Sequence, residues 1–311
     1  MRMTRVGAAI SALLLTASAL SGCGSNNTGG SDPGSAVSRV GKMDGTFVME
    51  LDKMRSAESG KEVPGSTAVS VTMVVRSSCP DGCIAGAAVV NPVPNLVPQS
   101  FLLDFVDGAW QGVERRPATC GDQATEEFKI LTLTPSHDGG YTGLFRSLTA
   151  SNNGCNFERP VTVKRIGNAD PAVLVPDPSI LPDRVVNRAA GLRGNYRFQL
   201  KDKKGAPIDS AMERKVQTYC VRTAERCMSL ITGDNRELVW TLTNGVWSFT
   251  TTTQSTCADG RKAERKDTAT FPLPNPAANP IATLTGSGSY ATAEPCPATT
   301  DFDVTAERIG D

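Results

Sequence analysis

Apolar residues in this chain recur at every second position, the period of a strand with one buried face, rather than at the spacing of three to four that marks a helix. Val69, Val71, Met73 and Val75 are separated by Ser70, Thr72 and Val74, and the stretches Phe128 to Leu133, Tyr141 to Leu148, Arg197 to Leu200, Trp247 to Thr253 and Ile281 to Thr285 also read as strands. Asp107-Gly108 and Asn244-Gly245, flanked by alternating apolar residues, predict tight hairpins, because both central positions of a type I′ turn need positive φ. The only helical signal lies at Asp209 to Val216, where Met212 and Val216 stand four apart behind Asp209 as a cap.

The pattern occurs twice. Gly45-Thr46-Phe47 opens one copy and Gly194-Asn195-Tyr196 the other, each a glycine with an aromatic two residues on. Phe101 to Trp110 matches Glu237 to Trp247, and the next cysteine, Cys120 or Cys257, falls ten residues past the tryptophan in both. Val161-Thr162-Val163-Lys164-Arg165-Ile166-Gly167 and Val304-Thr305-Ala306-Glu307-Arg308-Ile309-Gly310 end the copies alike. These anchors predict an all-β protein of two tandem homologous antiparallel domains, at 42–168 and 192–311, each a barrel or sandwich of about seven to eight strands. Residues 169–191, with Pro171, Pro176, Pro178 and Pro182, predict an extended, semi-rigid linker. Trp110 and Trp247 are expected to anchor the two cores; lining a binding pocket is the alternative role for them.

The N-terminus supplies an address. Arg2 and Arg5 precede an apolar run from Val6 to Leu20, and Leu20-Ser21-Gly22-Cys23 then reads as a lipoprotein cleavage site. The expectation is a signal peptide over 1–22, lipid on Cys23, a flexible Gly/Ser/Asn-rich tether over 23–41, and an extracytoplasmic location held to the cell membrane or envelope by that lipid. Beyond the signal, 32 − 2 = 30 basic residues face 32 acidic ones, and the basic runs are interrupted by acids, which argues against a nucleic-acid partner. The eight remaining cysteines fall four to a copy. In an extracytoplasmic chain this predicts a disulfide framework, with Cys79 paired to Cys83, Cys120 to Cys155, Cys220 to Cys227 and Cys257 to Cys296. Cys79 and Cys83 have three residues between them where Cys220 and Cys227 have six, a variation that a metal site or a dithiol redox motif would not tolerate.

Catalytic constellations are sparse. His137 is the sole histidine, between Ser136 and Asp138 in a turn-forming Pro-Ser-His-Asp-Gly-Gly stretch, and the second copy has no counterpart. Glu126-Glu127 and Asp301-Phe302-Asp303 offer paired carboxylates, but adjacent strand residues face opposite ways. No phosphate loop, dinucleotide fingerprint, metal helix motif or calcium loop is present, so neither a cofactor nor a metal is expected.

The Gly-x-aromatic start, the cysteine pair, the Asn/Asp-Gly-x-Trp hairpin, the two later cysteines and the Arg-Ile-Gly end resemble duplicated secreted and lipid-anchored proteins of actinobacteria. They also resemble modules carried outside the membrane by receptor-type serine/threonine kinases. That resemblance implies a sensing or interaction role and transfers no catalytic residue. The Gly-x-aromatic start is further similar to that of lipocalin-type barrels. The expectation is a non-enzymatic binding or sensing lipoprotein for an apolar small molecule. The alternatives are an interaction module for another envelope protein and, less favoured, an envelope hydrolase relying on His137.

Overall fold

A computed structural model describes residues 42–311 with the exception of 58, 81, 153, 234 and 235. The expected signal peptide, Cys23 and the expected tether lie outside the described residues. The strands of the first copy are β1 (Gly45–Leu51), β2 (Arg55–Ser56), β3 (Val69–Ser78), β4 (Ile84–Val89), β5 (Ser100–Val106), β6 (Ala109–Cys120), β7 (Gln123–Pro135), β8 (Tyr141–Thr149) and β9 (Phe157–Gly167). Those of the second are β10 (Gly194–Asp202), β11 (Met212–Cys220), β12 (Cys227–Gly233), β13 (Arg236–Thr243), β14 (Val246–Thr256), β15 (Lys262–Pro272), β16 (Thr283–Thr292) and β17 (Ala298–Gly310). Each copy is an up-and-down antiparallel barrel of eight strands. The first closes through β1 and β9, with the two-residue β2 added to β9, and the second closes through β10 and β17. Closure pairs the first and last long strands of each copy and so removes the two edges an open sheet would carry there.

The shared sequence anchors meet where each barrel closes. Gly45 has φ +139°, and a Cβ there would lie 2.7 Å from Arg165 Nε. Gly194 has φ +108°, with the corresponding gap to Arg308 Nε 2.9 Å. Each arginine then donates from Nε to a backbone carbonyl just before its glycine, Asp44 at 3.0 Å and Arg193 at 3.1 Å. Glycine is required by both the positive φ and the guanidinium lying over it. The following aromatics, Phe47 and Tyr196, turn inward and are fully or almost fully buried.

The helical signal over 209–216 is overturned, since Met212–Cys220 is strand β11. Positions four apart share a face in a strand as they do in a helix; Val216 belongs to the second barrel's core and the half-buried Met212 packs against it. The linker stays extended apart from two short 3-10 turns, Pro178–Ile180 and Arg188–Gly191. The first lies over β3 and β4, close enough that Gly86 has no room for a side chain beneath Pro176. The second brings Ala189 and Leu192 into the base of the second barrel.

The barrel interiors differ. Phe47, Met73, Trp110, Leu133 and Phe145 fill the first, and its open end is stoppered by the β4–β5 loop, residues 90–99, which presses Val97 into the core with Val93 and Leu96 against it. Above that core sit charges. Lys129 Nζ lies 2.8 Å from Glu127, both side chains under a tenth exposed, and Arg116 reaches from Glu127 to the carbonyl of Asn95 in the stopper loop. Burial alone would raise the Glu127 pKa, but hydrogen bonds from Lys129, Ser147 and Arg116 outweigh it and hold the carboxyl below its ordinary value. Burial lowers the pKa of the Lys129 ammonium, with Glu127 offsetting only part of the effect.

The barrels meet side by side. Phe128, Ile130 and Leu148, from the outer faces of β7 and β8, form one buried cluster with Tyr219, Met228, Leu230 and Val239 from β11 to β13. Around it, Arg226 makes two hydrogen bonds to Glu126, at 3.0 and 3.1 Å, Arg222 bonds Asp104, and Arg146 bonds the Tyr219 hydroxyl.

Candidate ligand cavity of the second barrel

In the second copy only two residues, 234 and 235, separate β12 from β13, where residues 90–99 separate β4 from β5 in the first. Without a counterpart of that ten-residue connection, the second barrel borders a cavity of about 1120 Å³, part of whose lining comes from the first barrel. Its depth is aromatic. Trp240 stacks on Phe271 with ring centroids 4.2 Å apart and an interplanar angle of 16°, and Phe198 meets it edge-on at 5.8 Å. On the other side Phe249 lies parallel to Trp240 at 5.8 Å. Such offset and edge-to-face contacts fix the rings and leave a rigid apolar wall.

Toward the mouth the lining turns polar. Arg265 Nε is 2.6 Å from Asp267, and the guanidinium lies 3.8 Å from the centre of the Tyr290 ring. Burial raises the pKa of the Tyr290 phenol despite the opposing effect of Arg265, so the ring is neutral across the physiological range. Thr251 and Thr253 project from β14 beside them. The rim is completed by the other barrel, with Ser56, Gln123, Gly154 and Asn156 bordering the same space.

One wall of the cavity is a seam. β13 and β14 pair only beside their hairpin, from Thr243↔Val246 to Thr241↔Ser248. At the next step, where Val239 and Thr250 would face each other, the side chain of Asn152 from the first barrel's β8–β9 loop takes the ladder's place. Its Nδ2 donates to the carbonyls of Val239 (2.9 Å) and Thr250 (3.2 Å), and its Oδ1 accepts from the Val239 amide. Asn152 holds φ +51°, a left-handed conformation that asparagine tolerates better than most residues. The Cys120–Cys155 disulfide anchors the loop that carries it.

The structure distributes the residues singled out in the sequence as follows. Disulfides join Cys79 to Cys83, Cys120 to Cys155, Cys220 to Cys227 and Cys257 to Cys296. Trp110 and Trp247 are fully buried core residues, and neither borders the cavity. His137 is exposed on the β7–β8 hairpin, where Asp138 accepts from Ser136 and from the Gly140 amide, which makes a turn and not a triad. Glu126 serves the interface, Glu127 faces the first barrel's interior, and Asp303 pairs on the surface with Lys203 at 2.6 Å. No cluster of potential metal ligands occurs among the described residues. The tryptophan at the cavity is Trp240, which the sequence reading passed over. A signal for it existed, because the repeat alignment that pairs Trp110 with Trp247 sets Trp240 opposite Leu103.

Residues 40–180 match the family model described as the PknI serine/threonine-protein kinase sensor domain. The first barrel is similar to a kinase sensor module. The serine/threonine-protein kinases PknI of Mycobacterium tuberculosis and Mycobacterium bovis are each 28% identical to the chain over 169 residues, a match that takes in 48% of this chain. The chain spans 28% of the length of these relatives. Among solved structures, the monomer form of the M. tuberculosis PknI sensor domain aligns with 26% identity and a TM-score of 0.37, covering 44% of this chain and 97% of that one. The disulfides fit the oxidising, extracytoplasmic setting of such a module.

Proposed function

We propose that the chain is a lipid-anchored extracytoplasmic binding or sensing protein without catalytic activity, whose ligand is a mainly apolar small molecule held in the second barrel. The observation that carries this reading is the contrast between two copies of one fold. One interior is stoppered and filled; the other is open, aromatic-lined and of ligand-binding size. The likeness of residues 40–180 to a kinase sensor domain supports a sensing role, and the Cys23 signal supports the anchor. A second reading, a module that contacts another envelope protein, draws on the first barrel. With its interior filled, that barrel has only its outer surface to offer a partner.

The test is native mass spectrometry of the protein purified from a bacterial envelope, followed by organic extraction. A stoichiometric co-purified molecule is expected, and it should be absent from Ala269→Phe, which places a ring among the cavity-lining residues of β15. Near-ultraviolet circular dichroism checks that this variant keeps its fold. A clean apoprotein mass for the unmodified chain would remove the cavity reading and favour the protein-contact one.

A further inference from the structure

We propose that the cavity selects an amphiphile with an uncharged, hydroxyl-bearing head group, its apolar body lying against Trp240, Phe271 and Phe198 and its head held at the junction of the two barrels. The inference rests on the cavity being the ligand site and adds the chemistry of what enters it. Among the described lining residues, Asp209, Glu237, Glu264 and Asp267 stand against Arg214 and Arg265, an excess of two acids. A carboxylate or phosphate head would therefore enter a field of its own sign, and the Arg265 guanidinium is already neutralised by Asp267 at 2.6 Å. A cationic head meets the opposite obstacle. The face of Tyr290, the surface suited to an ammonium, is covered by Arg265 at 3.8 Å, a like charge.

What remains matches a hydroxyl, which both donates and accepts. The guanidinium of Arg265 donates, the carboxylate of Asp267 accepts, and Thr251 and Thr253 do either. Thr251 and Asp267 are each only 8% exposed, so their polar atoms lie inside the mouth rather than on its outer surface. Ser56 and Asn156 of the first barrel add uncharged polar groups to the same rim, which makes the head site a property of the paired barrels.

The delipidated full-length protein is titrated with a glycerol monoester, a fatty carboxylate and an alkyltrimethylammonium of one chain length, each below its micellar concentration. Tryptophan emission and native mass spectrometry report binding and stoichiometry. The monoester is expected to bind one per chain, at least about tenfold more tightly than either charged probe, and Asp267→Asn should narrow its advantage over the carboxylate by about tenfold. If a charged probe binds saturably and as tightly as the monoester, the head assignment is overturned while the cavity reading stands. If none of the three binds saturably, both fall.

Discussion

Glu127 and Lys129 show how a single buried pair shapes the behaviour of the first barrel. Their atoms meet at 2.8 Å with side chains 8% and 6% exposed, so removing one partner strands the other's charge in the interior. Glu127→Gln is expected to cost about 3 kcal/mol in denaturant unfolding. The folded pKa of Glu127 is lowered, so on acidification the unfolded chain takes up this proton first. The stability the carboxylate supplies is complete above its ordinary value of about 4.3 and is lost as pH falls through the folded value. The variant should lose less stability than the parent between about pH 5 and pH 3; an equal loss in both would show that other carboxylates govern acid unfolding. None of this was legible in the sequence, where Glu126-Glu127 is simply a pair of acids. The alternation of β7 does place them on opposite faces, but what each face meets is set by strands and loops distant in the chain.

At the scale of elements, two short connections decide what each barrel can do. The β4–β5 loop stoppers the first barrel through Val97, which is 5% exposed. Val97→Asp would bring an unpaired charge into the core and is expected to free the loop. Unfolding free energy should fall by about 2 kcal/mol or more, and the first barrel should take up an apolar fluorescent dye. Unchanged stability with no dye uptake would show that the loop is not a stopper. The β8–β9 loop acts on the second barrel through Asn152. Asn152→Gly removes the amide while keeping a residue at ease with φ +51°, so the seam loses its substitute rungs without added backbone strain. Hydrogen exchange at the Val239 amide should accelerate by about tenfold, the value of roughly one hydrogen bond. Exchange at the parent rate would mean that β13 and β14 hold together without the first barrel. The β5–β6 and β13–β14 hairpins were readable from Asp107-Gly108 and Asn244-Gly245, because turn chemistry is local. The strand over 209–216 was not, because Met212 and Val216 satisfy either period.

For the whole molecule, the apolar cluster between the barrels makes the pair a unit, so the cavity mouth with its two-barrel rim depends on that contact. Leu230 lies in the cluster and is 3% exposed. Leu230→Asp should part the barrels, seen as a larger radius of gyration in small-angle scattering and as separate thermal transitions in place of a shared one. The monoester should then bind more weakly although Leu230 does not border the cavity. A variant with unchanged dimensions and unchanged affinity would argue that the interface is incidental to the site.

The sequence by itself determined that the chain is all-β, duplicated and disulfide-braced, while leaving barrel and sandwich both open, because strand period, turn residues and cysteine count are carried by neighbouring positions or by direct repetition. Only the tertiary structure decided that one barrel is filled and the other hollow, that Trp240 rather than Trp110 or Trp247 meets the cavity, and that an asparagine of the first copy completes the wall of the second. Each of these depends on where a loop comes to rest against strands far away in the chain. That position is fixed by packing between surfaces whose adjacency exists only once both barrels have closed.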